Sequence, residues 1–415
     1  MKKLLTNAKI IDKTNNKFKN VNILINDNII EKIFENDEKS IKNQDILTNF
    51  DDVEEIDCKN NIVLSGFVNS NSNLIKNFFE NFFEFNEEEN FDEEYEKFLD
   101  KLSMEEKYNI YKFQIFNLIK NGITTFSDED LYNLSLKKAV KEIGINCVYR
   151  FGYKNCFDEL NNDLVRKSEK SGEDFVFYLG GVLENSEENF DEIIKLAKFN
   201  NKPIFVGGAE NLEKAGLVES EFSKTTTEML ESYGVLDVRH CILNNNVLDK
   251  SDYEILSNYN SNLIFSPSLN LTFGYKNANI YALNQTNLIG LSSFKNNYIL
   301  EMYLASILEK ESYNKFEIFQ LSNLFEFSSI NNATILGLEN VGEIKENNRA
   351  DLLVVECDKL FVDVNSFLKN FENDNIKSVL INGKVIYNLN HFVEDKSYEH
   401  IKNVCLNILK KYNKN

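Results

Sequence analysis

The stretch NIVLSGFVNSNSNL, Asn61 to Leu74, decides the fold. Ile62, Val63 and Leu64 run through Gly66 into Phe67 and Val68, the pattern of a strand entering a core, and the run then breaks into small polar residues. A plain loop and the edge of a site are both consistent with NSNSN in a chain this rich in Asn. The rest of the chain chooses between them.

Outward from this stretch, short apolar runs alternate with helical segments, which is the grammar of a parallel sheet with crossover helices. Candidate strands cover 62–68, 123–128, 145–152, 175–182, 203–208, 237–243, 262–267 and 287–292. Eight strands over roughly 230 residues fit a (β/α)8 barrel better than an open doubly wound sheet. The C-terminal ends of barrel strands face the active-site mouth, so the positions of interest are 69–73, Ser127, Asp128, 207–210, His240, 266–270 and Ser292.

The two ends of the chain share a different grammar. KIIDK, VNILINDNIIEKIF and EEIDCKNNIVL near the start, and GEIKENNRADLLVVE and SVLINGKVIYN near the end, read as short strands joined by Asn-rich turns. The expected architecture is therefore α/β: a TIM barrel over 63–335 with a small β-sandwich domain built from both termini, 1–62 plus 340–395. Ile401, Val404, Cys405, Ile408 and Leu409 have helical spacing, so 396–415 is expected to close the chain as an amphipathic helix.

The formal net charge of −20 excludes a phosphate-backbone partner and an anionic membrane surface, both of which would be repelled. Neither a membrane-spanning run nor a secretory signal is recognisable, so a cytoplasmic protein is expected. Six cysteines without a CxxC pair indicate neither a disulfide framework nor a zinc ribbon. The acidic run Asn86 to Lys97 reads as a solvated helix face or loop, and Phe78, Phe79, Phe82, Phe83 and Phe85 as helix core.

The order of features resembles the amidohydrolase superfamily, in its aminohydrolase and deaminase branch with triazine chlorohydrolases, S-adenosylhomocysteine deaminase and guanine deaminase. LSGFVNSNSNL resembles a strand-one motif in which Pro-Gly-Phe-Val-Asn leads to His-x-His. NGITTFSD, FVGGAE, RHCIL, FSPSLNL and IGLSS resemble, in order, the strand-two segment, a His-x-x-Glu motif, the strand-six histidine, an Asn-Pro-x-Ser-Asn loop and the Gly-Thr-Asp of strand eight. NATILGLENVGEIKENNRADLLVVE with VLINGKVIY resembles the closing segment.

The resemblance implies zinc or iron held by three histidines and an aspartate. Those places hold Asn71, Asn73, Gly207 and Ser292, so the expectation is no metal and no cofactor. A carboxylate-only magnesium or calcium site would draw on Asp128, Asp130 and Glu210. Glu210 matches the proton-shuttling Glu and His240 the polarising histidine, which makes them the candidate catalytic pair. A solvent-exposed or helix N-terminal carboxylate for the first and a core histidine bonded to a carbonyl for the second are the plainer readings. Asn71, Asn73, Asn270 and Ser292 are the candidate substrate-binding residues, suited to a small neutral heterocycle such as a purine.

The leading expectation is a degenerate family member, a binding or regulatory pseudoenzyme assembled as a homodimer. The alternative is a C–N hydrolase, a deaminase of a purine-like heterocycle using Glu210 and His240 with an atypical or absent metal. A barrel retained for assembly alone is the third reading.

Overall fold

The computed structural model describes residues 2–12, 17–35, 53–82, 91–154, 160, 162–315, 318, 321–357, 363–389, 391–393 and 398–412. Residues 86–90 of the acidic run, Phe83, Phe85 and Cys156 lie outside them.

Strands β1 (Lys2–Asp12), β2 (Lys17–Asn26), β3 (Ile29–Glu35), β4 (Val53–Asp57) and β5 (Ile62–Ser65) come from the start of the chain. The apolar run of the opening stretch then divides. β5 ends at Ser65 and β6 (Phe67–Ser72) begins after Gly66, so one predicted strand is two. Glycine is required between them: a Cβ on Gly66 would lie 2.1 Å from Thr124 Oγ1.

From β6 the barrel proceeds through β7 (Ile123–Asp128), the short β8 (Asn146–Cys147) with β9 (Tyr149–Tyr153), β10 (Phe175–Leu179), β11 (Ile204–Gly207), β12 (His240–Leu243), β13 (Asn262–Phe265) and β14 (Leu288–Leu291). Each pairs in parallel with its neighbour, in one run from β6 to β8 and another from β9 to β14. Side chains close the seam between β14 and β6. Asn69 Nδ2 donates to Ser293 O at 3.1 Å, while the Tyr298 hydroxyl and the Asn332 amide each reach both Val68 O and Leu291 O. Buried carbonyls of two strands that do not share a ladder are satisfied in this way.

Side chains alternate along each strand. Val68, Val148, Val176, Phe205, Cys241, Leu243 and Ile264 form one apolar cluster, whereas Phe67, Phe177, Val206, Ile242 and Leu263 belong to the larger one that includes the surrounding helices. The first set fills the barrel; the second holds the helical layer.

β15 (Leu352–Val355), β16 (Ile376–Ile381), β17 (Lys384–Asn388) and β18 (His391–Phe392) complete a nine-stranded sheet with β1 to β5. The link is antiparallel pairing of β5 with β15, Ser65 opposite Leu352 through Ile62 opposite Val355. This single sheet curls on itself: Ile29 bridges Arg349, and Ile30 N donates to Asn348 O at 2.8 Å. Leu5, Val21, Ile23, Val63, Leu352 and Leu380 pack inside the curl. The final helix, Tyr398–Tyr412, buries Ile401, Cys405, Ile408 and Leu409, the stripe set by its spacing. Among the described residues, no helix is long and apolar enough to cross a membrane.

Candidate active site

The strand-one motif ends in an irregularity. β6 slips register against β7 between Asn69 and Ser72, a bulge of the kind that re-aims side chains. Asn71 Nδ2 donates to Glu129 Oε1 at 2.9 Å and Asn73 Nδ2 to Glu129 Oε2 at 2.7 Å. The two amides thus hold one carboxylate between them. Asn73 Oδ1 also caps the next helix by accepting from Lys76 N.

Behind Asn71 stands Arg150, on β9 and 1% exposed. Its Nη2 donates to Asn71 Oδ1 at 2.8 Å and to Ser70 O at 2.9 Å, and its Nε to Ser127 Oγ at 3.1 Å. Its Cζ lies 5.0 Å from the ring centre of Tyr178 and 5.3 Å from that of Phe205. A continuous chain therefore runs Arg150, Asn71, Glu129, Asn73, with the neutral Asn71 amide between the cation and the anion.

Next to it, Lys154 Nζ meets Asp130 Oδ1 at 3.0 Å and the Tyr111 hydroxyl donates to Asp130 Oδ2 at 2.5 Å. Against the penalty of burial, Lys154 and Tyr111 hold the Asp130 carboxyl below its usual range. Burial, with the charge of Asp130 added, pushes Asp128 well above it. Asp128 serves the backbone, accepting from Leu74 N at 2.9 Å and Asp130 N at 3.0 Å.

The candidate catalytic pair is not brought together. His240 is the first residue of β12, at the end of the barrel away from the mouth, and alternation with inward Cys241 and Leu243 turns it to the outer layer. Its Nδ1 meets Val238 O and its Nε2 meets Ser261 Oγ, both at 2.9 Å. Burial lowers its pKa, so the ring is neutral, with Nδ1–H donating to the carbonyl and Nε2 accepting. The placement of His240 at the mouth is corrected: the inward residue at that end of β12 is Leu243. Glu210 does lie past the C-terminal end of β11, at the rim, where it pairs with Lys214 at 2.8 Å.

Asn270 is buried in an amide network, donating to Asn246 Oδ1 and Asn277 Oδ1 at 3.1 Å; Asn246 in turn reaches Glu210 O at 3.0 Å. Ser292 follows β14, with its amide bonded to Phe265 O at 2.9 Å. Gly207 is crowded by backbone, since a Cβ there would lie 3.1 Å from Gly181 N. Glu129 and Arg150 are the residues that reading the sequence missed. Arg150 had a signal, a lone cation inside the apolar strand VYRFG; Glu129, in SDED, looks like any polar strand end.

Residues 62–386 match the sequence profile of the Amidohydrolase family, about four-fifths of the chain, and the chain belongs to that family. It is 28% identical over 311 residues to a 5'-deoxyadenosine deaminase of Methanococcus aeolicus, covering 69% of this chain and 71% of the relative. Its fold is similar to that of an adenosine deaminase from Xanthomonas campestris with bound zinc, at TM-score 0.86 and 12% identity over 99% of this chain and 98% of the other. The atrazine chlorohydrolase of Arthrobacter aurescens complexed with zinc gives TM-score 0.81 and 16% identity, over 98% and 100%.

These likenesses correct the expectation of no cofactor, because the barrel is one in which zinc is carried by both of those neighbours. The side chains at the corresponding places in this chain do not fit zinc in the family's manner. Asn71 has both amide atoms engaged, by Arg150 and Glu129; Gly207 has no donor; Ser292 offers only a hydroxyl. Among the described residues, no group of three or more His, Cys, Asp or Glu could hold a metal ion.

Proposed function

We propose that this amidohydrolase-family chain is a cytoplasmic C–N hydrolase that removes an amino group from a purine-like heterocycle, a nucleoside or base, taken in at the barrel mouth. The observation that carries the proposal is the Glu129 carboxylate, fixed at the end of β7 by Asn71 and Asn73. Each of its oxygens accepts one amide hydrogen and keeps a lone pair, so it can accept an exocyclic N–H and take up a proton. Glu210 is the second carboxylate of the rim, and Asn270, joined to it through Asn246, is a candidate contact for the ring. The relative's name, a 5'-deoxyadenosine deaminase, supports the substrate class. The same proposal includes the homodimer, which light scattering tests.

Ammonia release from 5'-deoxyadenosine, adenosine and guanine, with protein as purified and after equilibration with zinc, is the experiment. One of these amines is expected to be consumed mole for mole with ammonia formed, and Glu129→Gln to slow it by roughly 100-fold or more. Folded protein that releases no ammonia from any of them contradicts the proposal.

A second reading, recognition without turnover, is supported by the motif resemblance, which assigns the family's ligand places to Asn71, Asn73, Gly207 and Ser292. It predicts a rise in thermal midpoint with one of these compounds and no ammonia.

A further inference from the structure

Arg150 is among the largest fully buried side chains of the molecule, and its partners are all neutral: Ser127 Oγ, Ser70 O and Asn71 Oδ1. The remaining nitrogen, Nη1, is buried and has no hydrogen-bond partner. A buried charge is costly unless it is paired, and a buried donor without an acceptor adds the full desolvation penalty of that group. Three more orphaned buried atoms sit at ends of barrel strands on the same face: Ser72 Oγ at the end of β6, Asn244 Oδ1 just past β12 and Ser266 Oγ just past β13. The residues at or just past the C-terminal ends of β11, β13 and β14 are small: Gly207, Ser266 and Ser292. The protein is otherwise strongly acidic, so a buried guanidinium here is not a reflection of overall charge, although its field also reaches the Asp128 carboxyl.

We infer that Arg150 is the anchor of an oxyanion-binding subsite at the centre of the barrel, taking one oxygen of a small carboxylate or phosphate on Nη1, with the hydroxyls of Ser72 and Ser266 as further donors. The subsite stands apart from the proposed deamination, because it rests on the orphaned guanidinium nitrogen and not on Glu129. A monodentate, charge-assisted contact is what the geometry allows, since Nη2 and Nε are already used. The ligand is an anionic small molecule, or a heterocycle carrying an oxyanion at the end that enters first.

The chain holds four arginines, Arg150, Arg166, Arg239 and Arg349, so side-chain NMR of arginine-labelled protein can follow each one. Formate, acetate and inorganic phosphate are titrated separately into the full-length protein. The subsite predicts a saturable shift of a single arginine signal, assigned to Arg150 by its loss in Arg150→Lys, with the probes separating a carboxylate preference from a phosphate one. Arg150→Met is expected to weaken the preferred probe by roughly tenfold or more. If that variant does not fold, the titration of the unaltered protein decides alone. An absence of saturable shift with all three probes, or equal small shifts at all four arginines, would overturn the subsite and leave Arg150 a structural residue. Either result is independent of ammonia release.

Discussion

Two arginines mark the two ends of the barrel, and their environments differ in kind. Arg349, where the barrel meets the curled sheet, donates from Nε to Asp351 Oδ2 at 2.5 Å and from Nη2 to Thr125 Oγ1 at 2.7 Å. Asp351 is in turn served by Asn146 Nδ2 and Asn382 N. At the mouth, Arg150 reaches a carboxylate only through an intervening amide and keeps one nitrogen unpartnered. The converse case lies between the helices that follow β13 and β14, Pro267–Thr272 and Tyr298–Tyr313. Glu301, fully buried, accepts from Ser268 N at 2.9 Å and from Ser268 Oγ, both neutral donors. Arg349 meets its anion directly, whereas Arg150 is separated from Glu129 by an amide, although Lys154 beside it pairs directly with Asp130.

The largest effect should come from the joint. Asp351→Ala leaves the partly buried Arg349 without its anion, and a loss of about 3 kcal/mol in stability is expected from breaking such a pair. Denaturant unfolding measures it. A loss well under 1 kcal/mol would remove the distinction between the two ends.

Glu301 gives the next largest effect, with a pH signature. Burial raises its pKa to about 7, against the lowering by Ser268. A raised carboxylate is protonated in the fold at a pH where the unfolded chain has lost its proton. Its contribution is therefore fully present below the unfolded value near 4.5 and falls as pH rises towards about 7. Glu301→Gln should gain on the unaltered protein by about 2 to 3 kcal/mol between pH 5 and pH 8. A difference between the two that does not change with pH would show that Glu301 is charged throughout.

Arg150→Met gives the smallest stability change, no more than about 1 to 2 kcal/mol, because the acceptors left behind are neutral and a buried charge is removed with the side chain. A loss as large as that of Asp351→Ala would make the two arginines equivalent and end the comparison.

The sequence made the joint more legible than the mouth. ITTFSD is a strand over the same residues, 123–128, in reading and in structure, since turn signals bound it on both sides. The pairing of β5 with β15 is not part of that reading, which gives 62–68 to one barrel strand. The break at Gly66 was hidden because apolar residues continue across it, and only the close approach of Thr124 requires it. His240 was misplaced for a related reason. RHCIL fixes the existence of a strand but not which residue begins it, and a shift of three positions carries a side chain from the mouth to the far end. Glu129 becomes visible only when β6 and β7 lie side by side, because its partners are more than fifty residues away.

The claim on which the account rests is that the mouth between β6, β7 and β9 is where an aminated heterocycle binds. A crystal structure of the protein soaked with 5'-deoxyadenosine tests it most directly. The account predicts the base at the C-terminal ends of these strands, with its amino group within hydrogen-bond distance of a Glu129 oxygen. Ordered ligand elsewhere on the molecule, with Glu129 still held only by Asn71 and Asn73, would contradict it.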